Sequence, residues 1–269
     1  MPNELILYCH FHKEFPFNYD NGWIKPTSAR QRWSHQGVID VTGPNPSIFE
    51  FREKFRGVSD EDFLAAWGDT ATEYWLLHHT PDVPLIGCTS YRRYFLLNGA
   101  VTEIAPMVKL APNLENCLAL SSDSHRDAAL SLLSSADAIV ARPIALGQTI
   151  EAQYLQRQVR EYWDLFLKAI ELLFPHYRRH LIWFTNYSVI NLYSPFIMRR
   201  ELVRQYAAEL FAVLEYVVNN ASIAFPGKIE GARIQPYRYP AILRERFLPF
   251  FLYANGVRKA EVPLMFLND

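Results

Sequence analysis

The chain has 269 residues, of which half are hydrophobic and 14% aromatic, enough to bury a large core and to exclude an intrinsically disordered protein. Its 27 basic and 28 acidic residues leave a net charge of −1, without the basic excess expected of a general nucleic-acid binder. Cys9, Cys88 and Cys117 have no paired spacing, so neither a disulfide framework nor a zinc pattern is expected. The N-terminus lacks the basic start and apolar core of a signal peptide, and no apolar run reaches the about 18 residues of a membrane span. The expectation is one soluble, cytoplasmic domain over residues 1–269.

In chain order, short apolar runs bounded by Pro, Asp or polar residues predict strands at Leu5–Cys9, Val83–Cys88, Asp137–Ala141, Val189–Met198 and Val262–Phe266, with Pro195 as a point of interruption in the fourth. A first helix is predicted over Asp69–His79. A second follows Thr149 as N-cap, carries Leu155, Val159, Tyr162, Phe166, Ile170 and Leu173 on one face, and stops at Pro175. A third places Leu202, Tyr206, Leu210, Val213 and Val217 at helical spacing and ends at Asn219-Asn220. A fourth starts near Ala241 and closes at Asn255-Gly256, with a kink or break expected at Pro249. Leu97–Ser135 reads as a loop followed by one short helix. Strands alternating with helices predict an α/β fold, a mostly parallel sheet with helices on both faces.

In open α/β sheets, ligands bind beyond the carboxyl ends of the strands. There the first strand delivers His10, His12 and Lys13, the second Ser90, Tyr91, Arg92, Arg93 and Tyr94, and the third Arg142. Cations converging from three strand ends suit a diphosphate, because arginine's planar fork pairs with phosphate oxygens and a positive site stabilises a departing diphosphate. The competing reading makes Arg92 and Arg93 solvated surface residues or ion-pair partners of Asp69 and Glu73. Asp60-Glu61-Asp62 literally spells D-x-D, the metal-diphosphate motif of many glycosyltransferases. It follows Ser59 at a helix start, however, where acidic residues are favoured on structural grounds. His78-His79 and His176/His180 have no carboxylate at a useful offset, so no metal ligands are expected. Arg244–Tyr253 (RERFLPFFLY) combines arginines with Phe247, Phe250, Phe251 and Tyr253, which either dock at a membrane interface or pack in the core.

The stretch Ala71–Phe95, ATEYWLLHHTPDVPLIGCTSYRRYF, resembles a family of bacterial capsular and exopolysaccharide glycosyltransferases catalogued as a domain of unknown function. The family's pattern is an acidic residue, Tyr-Trp, then a hydrophobic strand running into Gly-x-x-His-Tyr-Arg-Arg-Tyr-Phe. Other matching segments are His12-Lys13, Asp137–Val140, Thr149-Ile150 with Gln153-Tyr154, Phe196–Glu201 and Glu245-Arg246. Ser90 stands where the family has His, and Asp69 where it has Glu. The resemblance implies a single-domain nucleotide-sugar transferase (GT-A-like) fold with Tyr-Arg-Arg in the slot used elsewhere for D-x-D, hence metal-independent handling of the diphosphate and no cofactor.

The resulting reading is a glycosyltransferase moving a sugar from a nucleotide-sugar donor onto a glycan acceptor in surface polysaccharide synthesis. UDP-galactofuranose or another UDP-hexose is the donor suggested by the resemblance, and a lipid-linked acceptor would bring the protein to the inner membrane face. Asp69 and Glu245 are the candidates for the base that deprotonates the acceptor hydroxyl, while His12, Lys13, Ser90, Tyr91, Arg92, Arg93 and Arg142 are the candidates for holding the diphosphate. The rivals are a non-catalytic glycan-binding or assembly subunit, kept open by Ser90, and a phosphate-ester hydrolase.

Overall fold

The computed structural model of the chain describes residues 4–12, 22–29, 37–43, 45–97, 106–193, 195–230 and 235–267. The first half contains strands β1 (Leu5–His10), β2 (Ile24–Ser28) and β3 (Ile39–Asp40), then helices α1 (Asp60–Trp67) and α2 (Thr70–His79). Strands β4 (Leu85–Ser90), β5 (Arg93–Phe95) and β6 (Met107–Leu110) follow, with α3 (Leu114–Leu120), α4 (Asp123–Leu133), β7 (Ala138–Ala141) and β8 (Ile144–Ala145) after them. The second half contains α5 (Ile150–Leu155), α6 (Arg160–Leu173), α7 (Arg178–Asn186), β9 (Val189–Ile190) and β10 (Phe196–Arg199). It closes with α8 (Arg200–Asn220), α9 (Tyr239–Ala254), β11 (Lys259–Val262) and β12 (Leu264–Leu267).

The main path of the sheet runs β3-β2-β1-β4-β10-β7-β11. Its strands all point the same way except β10, which is antiparallel to both β4 and β7. A ribbon of β5, β12 and β6 joins through the β4–β5 turn. Side chains alternate across the strands. Tyr8, Ile86, Cys88, Val140, Phe196 and Met198 face one core with α1, α2, α6, α8 and α9. Leu5, Leu7, Cys9, Ile139 and Ile197 face a smaller core with α3, α4 and the β5–β12 ribbon. Helices therefore cover both faces of an α/β sheet, as the sequence pattern implied.

Four expectations need correction. The second helix is broken at residues 156–159 into α5 and α6, and Val159 is exposed rather than part of the apolar face. The break turns α5 so that Gln153 can bond Arg246 of α9. Pro249 sits inside α9 without ending it. Phe247, Phe250 and Phe251 on that helix are fully buried, and such burial outweighs the roughly 3 kcal/mol a helical proline costs. Those rings are core and unavailable to a membrane, and Tyr253 alone of the four is exposed. The Leu97–Ser135 stretch contains β6 and two helices rather than one. Finally, Pro263 divides the last predicted strand into β11 and β12; the fourth is interrupted before Phe196, into β9 and β10, as Pro195 implied.

Gly87, in the middle of β4, marks the tightest point of the sheet. A Cβ there would lie 2.6 Å from the Phe196 carbonyl oxygen, 2.7 Å from Leu7 Cδ1 and 2.8 Å from Ile197 Cγ1. None of these can move without disturbing β1 or β10. Gly87→Ala is expected to cost about 1–3 kcal/mol through overpacking. A thermal melt superimposable on wild type would show that the strands can part at this position.

Candidate active site

The chain leaves β1 towards β2 and β3 and returns on the other side as β4, so a crevice opens at the carboxyl ends of β1 and β4. His10 ends β1 and pairs in register with Ser90, the last residue of β4. Alternation from Tyr8 and Cys88 puts both on the face that carries α2. His10 Nδ1 lies 2.9 Å from Thr72 Oγ1 of α2, which is in turn 2.9 Å from Thr27 Oγ1 of β2.

The α1–α2 junction supplies the acidic group. Ser59 caps α1 by accepting from the Asp62 backbone N–H, so Asp60-Glu61-Asp62 is a helix first turn, and Asp62 pairs with Lys228 at 2.6 Å. Helix α1 stops at Gly68, whose φ of +56° lies in the region that favours glycine. The turn puts Asp69 at the N-terminus of α2, the end nearest the crevice because α2 runs back against β4. Asp69 Oδ2 accepts from Arg244 Nη1 of α9 at 3.2 Å. Arg244, itself fully buried, donates from Nε to both Glu73 carboxylate oxygens at 2.8 and 2.9 Å and from Nη2 to Oε1. The Tyr206 hydroxyl of α8 donates to Glu73 Oε2 at 3.5 Å.

One buried guanidinium thus faces two carboxylates, and their protonation diverges. Burial raises the Asp69 pKa, but the charges of Arg244, Arg93, His10 and Arg238 outweigh it and hold the carboxyl well below the usual range. Burial pushes Glu73 up to about 7, against the opposing pull of Arg244.

Arg93 opens β5 just past the Tyr91-Arg92 turn. Its Cζ lies 5.4 Å from the Tyr193 ring centroid and 5.9 Å from that of Phe266, so the guanidinium is held between two aromatic side chains. Its Nη1 donates to the Tyr193 carbonyl at 3.4 Å and approaches Glu245 Oε1 at 3.9 Å. Tyr193 adopts φ +80°, uncommon for a residue with a side chain and characteristic of strained functional loops. Glu245 also meets Arg246 Nη1 at 3.4 Å, while Arg246 Nη2 donates to Gln153. The side chains of Asp69, Arg93 and Glu245 are 21%, 24% and 24% exposed, against 1% for Glu73 and 2% for Arg244. Only the first three can meet a substrate.

The remaining candidates spread along the same edge. Tyr91 is buried, and its hydroxyl lies 3.2 Å from His12 Nε2. The guanidinium of Arg92 lies over the Tyr91 and Phe266 rings, at 5.2 and 5.5 Å. Ser90 and Arg142 are half-buried, and the Arg142 backbone N–H bonds the Val262 carbonyl at the end of β11. Arg142 follows β7, two strands from β4, an offset of about 10 Å. Lys13 lies outside the described residues. Among the described residues no three His, Cys, Asp or Glu side chains gather as a metal-ligand group.

Tyr193 was not named from the sequence, and Glu73, Arg244 and Arg246 were named there only as a possible ion-pair partner of Arg92 or Arg93, in a possible membrane segment and in a family-matching segment, not as site residues. The available signal was Glu73 itself, an acid inside a helix whose Ala71, Tyr74 and Leu76 are all buried, which demands a cationic partner. Nothing local identifies that partner as a residue 171 positions further on. The competing reading of the sequence paired Asp69 with Arg92 or Arg93. Asp69 is bonded to Arg244 instead, with Arg93 close enough for its charge to act on it.

The fold is an α/β architecture that a glycosyltransferase of known structure shares. The chain superposes on the apo structure of the WbbM bifunctional glycosyltransferase with a TM-score of 0.77 over 99% of its length, at 14% sequence identity. It spans only 46% of that longer protein. The chain belongs to the DUF4422 family, a domain of unknown function, whose profile matches residues 66–256. No curated protein matches it.

The Glu73 environment makes stability depend on pH. Between pH 4.5, the ordinary glutamate value, and about 7, folded Glu73 keeps a proton that the unfolded chain releases. Its contribution therefore falls as pH rises across that window. Urea unfolding at several pH values should show wild type losing stability relative to Glu73→Gln from pH 4.5 to 7. A constant difference between the two would mean that Glu73 is ionised throughout.

Proposed function

We propose that the protein is a glycosyltransferase acting on a nucleoside-diphosphate sugar. The observation that carries this reading is the partly exposed Asp69–Arg93–Glu245 group at the crevice beyond the carboxyl ends of β1 and β4. The fold shared with a glycosyltransferase supports it, and so do the arginines Arg92 and Arg142, with the His12 imidazole, along the same edge. Glu245 is the better placed base of the two candidates, because Asp69 sits among four positive side chains and is a weak proton acceptor. Asp69 instead accepts hydrogen bonds from sugar hydroxyls. An acceptor hydroxyl gives its proton to Glu245 as its oxygen bonds the anomeric carbon. The bond from that carbon to the diphosphate breaks with its electron pair on the leaving oxygen, beside Arg93. Tyr193 and Phe266 fix the guanidinium at that position, and fixed charge costs no reorganisation during reaction. The acceptor is a glycan of bacterial surface polysaccharide, and the donor panel to test starts with UDP-galactofuranose and the UDP-hexoses, both on the strength of the sequence resemblance.

Donor hydrolysis and transfer measured over such a panel test the reading. No turnover of any nucleotide sugar would favour a non-catalytic glycan-binding subunit. Arg93→Ala should lower turnover about a hundredfold, the effect of losing one leaving-group contact of roughly 3 kcal/mol. Its pair with Glu245 is a quarter exposed and contributes under about 1 kcal/mol to stability, so melting should change little. Arg93→Lys should restore turnover only in part. Near-normal turnover in Arg93→Ala would remove Arg93 from the donor site.

Turnover should also survive chelation, since arginines rather than a metal are assigned to the diphosphate. Activity abolished by EDTA and restored by Mg²⁺ or Mn²⁺ would overturn that assignment.

A further inference from the structure

Among the described residues the most exposed large apolar side chain is Ile182, 75% accessible in the middle of α7. Exposed leucines lie nearby: the Arg178–Glu171 ion pair at 2.7 Å holds the start of α7 beside the last turn of α6, where Leu172 and Leu173 also face solvent. On the flank of α7 the half-buried Trp183 stacks on the exposed Tyr253, with ring centroids 3.6 Å apart, and meets the exposed Tyr187 at a tilt, 4.6 Å away. Residues 165–188 contain one acid, Glu171, against Lys168, Arg178 and Arg179, in a chain whose net charge is −1. Both arginines are exposed.

We propose that this α7 face docks the protein on an anionic lipid bilayer. An interfacial helix needs aliphatic side chains to enter the acyl boundary, aromatic rings for the headgroup level, and cations for anionic lipid. Ile182 with Leu172 and Leu173, Trp183 with Tyr187 and Tyr253, and Arg178 with Arg179 and Lys168 supply these in turn. The charge balance favours a bilayer over a second copy of the chain, because two such faces would bring like charges together.

The position of the face also fits the proposed reaction. The residues after α7 are tied to the start of α5: the Tyr187 carbonyl accepts from the Ile150 N–H, and the Ser188 carbonyl from the Leu146 N–H, both at 2.8 Å. Helix α5, which begins at Ile150, carries the Gln153 that bonds Arg246 next to Glu245. A bilayer against α7 would therefore lie close to the site, where a lipid-linked acceptor hydroxyl could reach it. Docking itself does not depend on the reaction being glycosyl transfer.

The test is flotation of the intact chain with vesicles of phosphatidylcholine alone and of phosphatidylcholine mixed with phosphatidylglycerol. Binding should appear on the mixed vesicles and weaken with salt. Ile182→Glu should reduce it about tenfold or more through lost apolar insertion. Arg178→Gln and Arg179→Gln should each reduce it about fivefold. These side chains are exposed, so melting should stay at the wild-type value, and turnover with a soluble acceptor should be unchanged. That separates a failure of docking from a failure of the functional reading. Absence of flotation by wild type, or equal flotation by Ile182→Glu, would overturn the proposal. A wild-type dimer in solution that Ile182→Glu converts to monomer would also overturn it, by making the face a self-association surface.

Discussion

The site depends on the buried guanidinium of Arg244. Arg244 ties α9 to α2 through Glu73 and Asp69, and Tyr206 brings in α8. A buried ion cluster like this contributes little net stability, because removing three charged groups from water costs about as much as their attraction returns. Its value is geometric. With one cation for two carboxylates, the deeper acid is driven towards its neutral form and the shallower one is locked in its charged form at the mouth of the crevice. Removing one partner would leave an uncompensated charge in the core, which is far worse than lacking the cluster altogether.

The edge above this cluster is built in layers of decreasing burial. Glu73 and Arg244 are sealed, Asp69, Arg93 and Glu245 are partly open, and the second group of Tyr91, His12 and Arg92 lies over the smaller core. Arg93 is held by ring faces rather than by a tight ion pair. Its 3.9 Å separation from Glu245 leaves both charges available for new partners. The backbone strain at Tyr193 belongs to the same design, since the turn presents both the ring and the carbonyl to Arg93. Ser90 lies beside His10 in the strand register, so the neighbouring strand brings an imidazole to the same face at the end of β4.

The two halves of this picture differ in how legible they were. Strand-end reasoning pointed to Arg93, and Asp69 and Glu245 were named separately as candidate bases; the three lie close together although 176 positions separate Asp69 from Glu245. The same strand-end reasoning grouped Arg92 and Tyr91 with Arg93 as equals, yet Tyr91 is packed into the core and Arg92 lies over it. Side-chain direction in a two-residue turn is set by β12 and Phe266, which no local pattern announces. The aromatic run of α9 had two readings in the sequence, and only packing against α6 and α8 makes it core.

By itself the sequence determined the α/β alternation, the central strands, the helix starts at Ser59 and Thr149, and the collection of cations at one edge. Apolar periodicity and capping chemistry act over a few residues and can be read there. Tertiary structure alone decided that Arg244 serves Glu73, that Pro249 stays within a helix, that α5 parts from α6, and that Ile182 rather than Phe250 faces solvent. Each of these is a competition between a local preference worth at most a few kcal/mol and burial against residues distant in the chain. Where the packed partners supply more than the local preference opposes, the outcome belongs to the fold.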